Sequence, residues 1–458
     1  MSGQLPILGL THKYFFVTQQ DIFNTFHEMY VNGGPSPRKV GLIPHELFIY
    51  VDDIEQIKKV YTLPSCNDRP SLYEAFGGVM GMFSSNGALW KKHRKLLNPA
   101  FNTTVLKSFL PIFNDNSKAL MNALDDHADG NEIDIHSFMA EFALDNILNT
   151  SMGFKGDKHA DKRKEMLNHM TGTMIVTSAK ILHFWKRIKP ILMLTEIYKL
   201  EKKYFDNGMY KIIKDFVDEK EKTFDIDDVS EKPQILIDQL FKNRNEFSRQ
   251  EIEDEIFSFI GAGLETSEYS LSKAILLIAM HPEVQEKIVD ELKYVFESED
   301  EEVTEDNLSQ LTYLDLVMKE VFRYWSIITI IARYTTDEVE LGDCLIPKGT
   351  HIIIPIYEIH RDKKIWGGDA DEFKPERFEP ERMKNIPAHA YMPFALGPRN
   401  CIGMNYAKKM FKVVMAYFFR KFHVETSLKL EDISLKFELL TKIVQGYKVM
   451  ITKRDFED

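Results

Sequence analysis

Apolar residues recur at three- and four-residue spacing over residues 104–128 and 137–152, which predicts two helices. The same spacing runs from Glu251 to Met280, where His281-Pro282 closes a long helix, and again from Leu308 to Trp325. The run THIIIPIY at 350–357 reads as a buried strand, and HELFIYV at 45–51 alternates as a half-buried strand does. From Ser71 the pattern is mainly helical, loosened by Gly77, Gly78, Gly81 and Gly87 ahead of Trp90. The chain is irregular from about residue 358 to 400, helical from Met404 to Phe419, and carries short strand candidates after about 427. Residues 222–238 and the acidic stretch ESEDEEVTED read as exposed connections. No internal repeat or separating linker interrupts this order. The expectation is a mainly α body with small sheets, one domain over 1–458.

Composition narrows the function. With 58 Lys+Arg against 70 Asp+Glu the net charge is -12, which argues against a nucleic-acid binder. The 32 Phe and 20 Met suit either a generous core or an apolar pocket. Cys66, Cys344 and Cys401 stand apart, so neither a CxxC pair nor a disulfide framework is present. No apolar run is long enough to cross a bilayer, and no signal peptide is visible. The glycines before Trp90 do not form GxGxxG, so they make no nucleotide fingerprint. Asp125, His127, Asp129 and Gly130 imitate a calcium loop faintly, but His136 stands where a bidentate glutamate is needed, and a solvated loop is the simpler reading.

The sharpest chemical signal is FALGPRNCIG, Phe394 to Gly403. Cys401 falls between a loop and a helix start, where unpaired N–H groups stabilise a thiolate able to bind iron. Gly397 and Gly403 would let the backbone approach a flat cofactor closely, and Arg399 could meet an anionic propionate. For the cysteine alone, a buried thiol beside a loop is the simpler account; the combined spacing F-x-x-G-x-R-x-C-x-G makes it a poor one. Glu320 and Arg323 stand i,i+3 on one helix face. In isolation they read as a surface pair, yet Arg377 in KPERF could close a network with them. AGLETS, Ala262 to Ser267, puts glycine and small polar residues in mid-helix, a poor choice for pure packing. A Thr hydroxyl or carboxylate there could interrupt the ladder and hold water, or the site is a tolerated irregularity.

Together these segments resemble the cytochrome P-450 family of haem-thiolate monooxygenases. The matching pieces are AGLETS, the ExxR of Glu320 to Arg323, PERF at Pro375 to Phe378, and FALGPRNCIG, with WKKHRKLLNPAF from Trp90 and HPEVQEKIVDEL from His281. They occur in family order over nearly the whole chain, and the likeness is greatest to animal microsomal members of the family-4 type, insect ones in particular. The resemblance implies a mostly helical triangular prism with a smaller β-rich region. It implies that Cys401 is the axial thiolate of heme b, and that Thr266 and Glu265 relay protons during dioxygen activation. Trp90, Arg94, Arg333 and Arg399 would hold the haem propionates, Phe394 would pack beside the sulfur, and Glu320, Arg323 and Arg377 would form a folding triad.

The implied reaction inserts one atom of dioxygen into a small apolar substrate, with electrons from an NADPH-dependent cytochrome P-450 reductase and a possible contribution from cytochrome b5. A basic face of Lys91, Lys92, Arg94, Lys95, Lys408, Lys409 and Lys412 would dock that partner, or is simply solvated. Two alternatives stay open: a haem-thiolate isomerase or dehydratase needing no external electrons, and a non-enzymatic haem sensor or carrier. Leu5 to Gly9 resembles the segment that follows the family's membrane anchor, so the expectation is a chain lacking that anchor and meeting the cytoplasmic face of the endoplasmic reticulum peripherally. SIITIIAR at 326–333, LLTKIV at 439–444, VMGMF at 79–83 and FSFIGA at 257–262 would line the pocket, without identifying the substrate. Many family-4 members have a glutamate three residues before the relay acid, able to esterify a haem methyl. The matching residue here is Ala262, so non-covalent haem is expected.

Overall fold

The computed structural model describes residues 19–32, 34–43, 46–76, 81–154, 160–224 and 232–456. The expectations placed on Leu5–Gly9, Gly77, Gly78, Val79, Met80 and 225–231 lie outside those residues. The helices that build the site are α1 (Gly87–Leu97), α2 (His136–Ile147), α3 (Arg249–Ala279), α4 (Thr312–Tyr324) and α5 (Met404–Lys421). Ser248 and Glu251 start α3 with a reciprocal capping box: the Glu251 N–H donates to Ser248 Oγ at 3.2 Å and the Ser248 N–H to Glu251 Oε2 at 2.6 Å. From Ile252 to Ala279 the helix is buried on nearly every side. A helix enclosed all round lies at the centre of a fold; α2 and α4 pack against it and α5 packs on α4, all within one apolar core.

Besides the short hairpin of Val339–Leu341 with Cys344–Ile346, the strands among the described residues are β1 (Arg38–Ile43), β2 (Glu46–Tyr50), β3 (Asp129–Asp134), β4 (Ile331–Tyr334), β5 (Thr350–Ile354), β6 (Phe422–Glu425), β7 (Leu435–Glu438), β8 (Leu440–Ile443) and β9 (Lys448–Lys453). One sheet has the order β1-β2-β5-β4, with β2 and β5 parallel and Arg333 opposite Ile352. A second has the order β3-β9-β6, and β7 with β8 forms a tight hairpin. The architecture is mainly α with a smaller β region, as expected.

Several boundaries differ from the sequence pattern for local reasons. The helix expected over 308–325 is two, Glu305–Gln310 and α4, with Leu311 between them. Glu291 ends the ambiguity by accepting the Tyr313 and Leu314 N–H groups at 2.5 and 2.9 Å, which caps α4 from a neighbouring helix. The helix expected over 104–128 breaks at Phe109, just before Pro111. The segment read as a solvated loop contains β3, paired with β9. The strand expected over 350–357 stops at Ile354, and Pro355 begins the helix Ile356–Arg361.

Candidate functional site

Behind the cysteine loop, the buried carboxylate of Glu320 grips two arginines. Arg323 donates through Nε and Nη2 at 2.6 and 2.8 Å, and Arg377 Nε approaches Glu320 Oε1 at 3.4 Å. All three side chains are buried, so this is no surface pair. Their remaining donors hold backbone carbonyls of the irregular stretch: Arg323 those of His360, Ala370 and Glu372, and Arg377 those of Trp366 and Asp369. Arg377 also binds the Asp369 carboxylate at 2.8 Å, holding its pKa down to about 2. Charge-assisted bonds of this kind stabilise a chain segment that has no ladder of its own.

That segment leads into the loop bearing Cys401. The loop folds back on itself, with the Cys401 N–H donating to the Phe394 carbonyl at 2.9 Å and the Asn400 N–H to that of Gly397 at 3.1 Å. Gly397 has φ 73°, and a Cβ there would lie 2.2 Å from the Tyr61 carbonyl oxygen. Its requirement is therefore close packing on the helix Ile54–Thr62, a correction to the cofactor approach expected of it. Gly403 stands at the N-cap of α5, with a φ of -84° open to any residue. Burial pushes the Cys401 thiol up, while the Gly403 N–H and the Arg94 guanidinium pull it down.

Cys401 opens onto a cavity of about 400 Å³ whose wall also contains Trp90, Arg94, Phe394, Arg399, Glu265, Thr266 and Ala262. The rest of the wall is mostly apolar, with Ile327, Ile328, Phe257, Phe259, Leu439 and Leu440 among its residues. Arg94 donates to the Asn400 carbonyl and Oδ1, both at 3.0 Å, beside the cysteine. Arg399 lies over the Trp90 ring, 4.3 Å from its centroid. The Phe394 ring meets Phe322 edge-on at 5.4 Å. Arg333 is buried behind the wall over the Tyr61 ring.

Sequence reasoning missed Arg69. It joins Arg399 at the cavity wall, packed over the Tyr73 and Phe83 rings. Burial, Arg69 and Arg333 together lower Arg399 to about 9. Arg69 Nε, Arg333 Nη2 and Arg399 Nε and Nη1 are buried with no hydrogen-bond partner among the described residues. Crowded cations with unmet donors call for an anion with several oxygens, and the carboxylates of heme b fit that demand beside a thiol. No local signal in NDRPSLY singles Arg69 out.

On α3, the Thr266 hydroxyl donates to the Ala262 carbonyl at 2.7 Å, and the helix runs through AGLETS without a break. Gly263 does serve packing after all: a Cβ there would meet Ile147 Cδ1 of α2 at 2.4 Å. Glu265 is buried, and desolvation raises its carboxyl to about 7 against the counter-pull of Lys442. Lys442, on β8, pairs with Glu438 at 3.1 Å and sits over the Tyr269 ring. It too escaped notice in the apolar run LLTKIV. Glu268, one turn after Glu265, is raised further by burial and by Glu265.

The sequence model for Cytochrome P450 matches residues 2–450. The chain belongs to the cytochrome P450 family. "Probable cytochrome P450 313a4" of Drosophila melanogaster is 30% identical, covering 98% of this chain and 92% of the relative. "Cytochrome P450 4V2" of Mus musculus is 28% identical over 88% and 80%, and "Cytochrome P450 4c21" of Blattella germanica 27% identical over 98% and 92%. The P450 is thus homologous to insect and mammalian members. It is an enzyme of the P450 oxidoreductase class, with the haem-dependent monooxygenase chemistry of that family. Membership implies heme b with an axial cysteine thiolate, an NADPH-dependent reductase and a lipophilic substrate. Among the described residues no helix is long and apolar enough to cross a membrane.

Proposed function

We propose that Cys401 is the axial thiolate of a non-covalently held heme b, and that the cavity above it admits a small apolar substrate. The observation that carries this reading is a thiol facing a cavity walled by two underpaired arginines, Arg69 and Arg399, with a third, Arg333, buried behind them. Trp90, Arg94, Arg333 and Arg399, joined by Arg69, would hold the propionates, with Phe394 beside the sulfur. Bound there, the haem supplies dioxygen activation, which a thiolate ligand favours.

The protein's own residues do the rest. The Glu265 carboxyl, near neutrality in its titration, holds a proton at the cavity wall and re-acquires one from the side of Lys442 and Glu438. Thr266 Oγ1 donates to Ala262 and keeps its lone pairs to accept a hydrogen bond from water. The apolar walls exclude bulk water and leave substrate positioning to shape. Glu320, Arg323 and Arg377 keep the cysteine loop in register.

The finer placement follows the same reading: one domain over 1–458, related to family-4-type microsomal P450s of insects, as the names of the relatives suggest. Contact with the cytoplasmic face of the endoplasmic reticulum is supported by a stretch in which Ile188, Ile191, Met193 and Leu194 are exposed, Leu194 at 89%. Lys91 and Lys95 on α1 are exposed and offer docking cations to the reductase or cytochrome b5. Lys409 and Lys412 are already engaged, by Glu305 and the Leu308 carbonyl.

The deciding measurement is the carbon monoxide difference spectrum of the reduced protein. Thiolate ligation is expected in the wild type, lost in Cys401→Ser, and kept in Cys66→Ser and Cys344→Ser. A histidine-type spectrum from the intact, folded chain would overturn the assignment.

A further inference from the structure

We propose that Glu268 stores the second proton that each turnover consumes and passes it to Glu265; this rests on the haem-centred reading above and deepens it. Placing one atom of dioxygen in a C–H bond and releasing the other as water takes up two protons, with the two electrons the reductase supplies. Glu265 borders the cavity and carries one proton at a time. Glu268 stands three residues on, which puts the two Cβ atoms about 5–6 Å apart on one face of α3. Its side chain is buried as well but is no part of the cavity wall, so what it gives to the reaction passes through Glu265.

The groups around Glu268 fit a carboxyl that keeps its proton. His136, at the start of α2, faces it with Nε2 3.7 Å from Oε1. The His136 ring is stacked with those of Tyr269 and Tyr447, at 4.4 and 5.3 Å between centroids. The Ser272 hydroxyl donates to the Glu268 carbonyl at 2.6 Å, so toward His136 Nδ1, at 3.3 Å, it can only accept. The proton of the neutral ring is therefore on Nδ1, and Nε2 is left bare toward Glu268. Burial lowers the imidazole to about 4, opposed by Asp134 and helped by Lys442, which keeps the ring neutral. A bare nitrogen there accepts the acid proton of Glu268 once the carboxyl turns about its soft terminal torsion.

Charge balance points the same way. The β7–β8 hairpin brings Lys442 and Lys436, and both are already paired with Glu438, at 3.1 and 2.6 Å. Two bare carboxylates one turn apart in a buried site repel strongly, and burial together with Glu265 pushes the Glu268 carboxyl up. The pair therefore shares a retained proton. When Glu265 has given its own proton to the cavity, the Glu268 O–H bond breaks, an O–H bond forms on Glu265, and consumption in the cavity draws the transfer forward. The negative charge moves to the His136 end of the cluster, where a partly exposed side chain meets the water that restores the proton. A Glu268 that served packing alone would carry a desolvation cost that an apolar residue of its size avoids.

The test reconstitutes the holoprotein with reductase, uses n-dodecane as the apolar probe, and reads hydrogen peroxide released per NADPH consumed. In Glu268→Gln the share of NADPH that does not end as peroxide should fall about tenfold, less than a direct general acid contributes, because Glu265 remains. Glu268→Asp, which keeps the acid, should lose less than Glu268→Gln. Because the two carboxyls act in series, Glu265→Gln/Glu268→Gln should be no worse than Glu265→Gln alone. The thiolate-type carbon monoxide band and the thermal midpoint should hold in Glu268→Gln. A share unchanged in Glu268→Gln, losses that multiply in the double variant, a loss that tracks a shrinking band, or a wild type that already releases one peroxide per NADPH overturns the proposal. Failure of the haem reading would show separately, as a missing thiolate band in the wild type before any NADPH is added.

Discussion

The carbonyl oxygen of Tyr61 occupies the space that a side chain at Gly397 would need, 2.2 Å from an ideal Cβ. The cysteine loop is thereby seated on the end of a helix more than three hundred residues earlier in the chain. Gly397→Ala must strain a φ of 73° and displace backbone, since a carbonyl cannot swing aside as a side chain does. The left-handed conformation alone costs roughly 1–2 kcal/mol. We expect a lower thermal midpoint and a smaller fraction of protein with the thiolate-type carbon monoxide band. An unchanged midpoint and full band would show that the loop has slack.

Thr266→Ala should leave the fold and haem content intact, because the hydroxyl bonds only to its own helix at Ala262. What it removes is a site for ordered water at the cavity wall. Product formed per NADPH consumed should fall several-fold, with the balance appearing as peroxide. A drop in haem occupancy with unchanged coupling would mark the residue as structural.

The pH dependence follows from Glu265. Its carboxyl, raised from 4.5 to about 7, is neutral below that pH and charged above it. Coupling that needs the acid form should decline as pH rises through about 7. Lys442 opposes the upward shift, and Glu438 reinforces it. Lys442→Met should therefore move the limb to higher pH, and Glu265→Gln should abolish it. The same proton affects folding. The unfolded chain releases it near 4.5, the folded chain near 7, so this group's contribution to stability falls between those values as pH rises. A limb that stays in place in Lys442→Met would separate the lysine from the relay.

Ala262 carries no carboxylate, so no ester to a haem methyl can form from that position. Denaturing reverse-phase chromatography of turned-over enzyme should elute free haem. Haem that remains with the polypeptide would contradict this.

Much of the architecture was written locally. The apolar spacing of α3 and α5 and the Gly-Pro-Arg-Asn-Cys approach to a helix start are short-range patterns, and each predicts its element without knowledge of the rest. The spacing of Glu320 and Arg323 likewise implied a pair. Whether that pair lay at the surface or was buried with Arg377 depended on where residues 360–377 folded, which no local pattern states. The same holds for Arg69, brought to Arg399 by a fold that joins distant segments, and for Lys442, a cation in an apolar run that gains meaning only beside Glu265. Gly263 and Gly397 show the limit most clearly. Their absence of side chains was visible at once, but what fills the space, Ile147 and the Tyr61 carbonyl, is a property of packing between elements far apart in the chain. Sequence periodicity determines which face of an element is apolar; only tertiary contact decides what meets that face, and which buried charges are left to find a partner in the cavity.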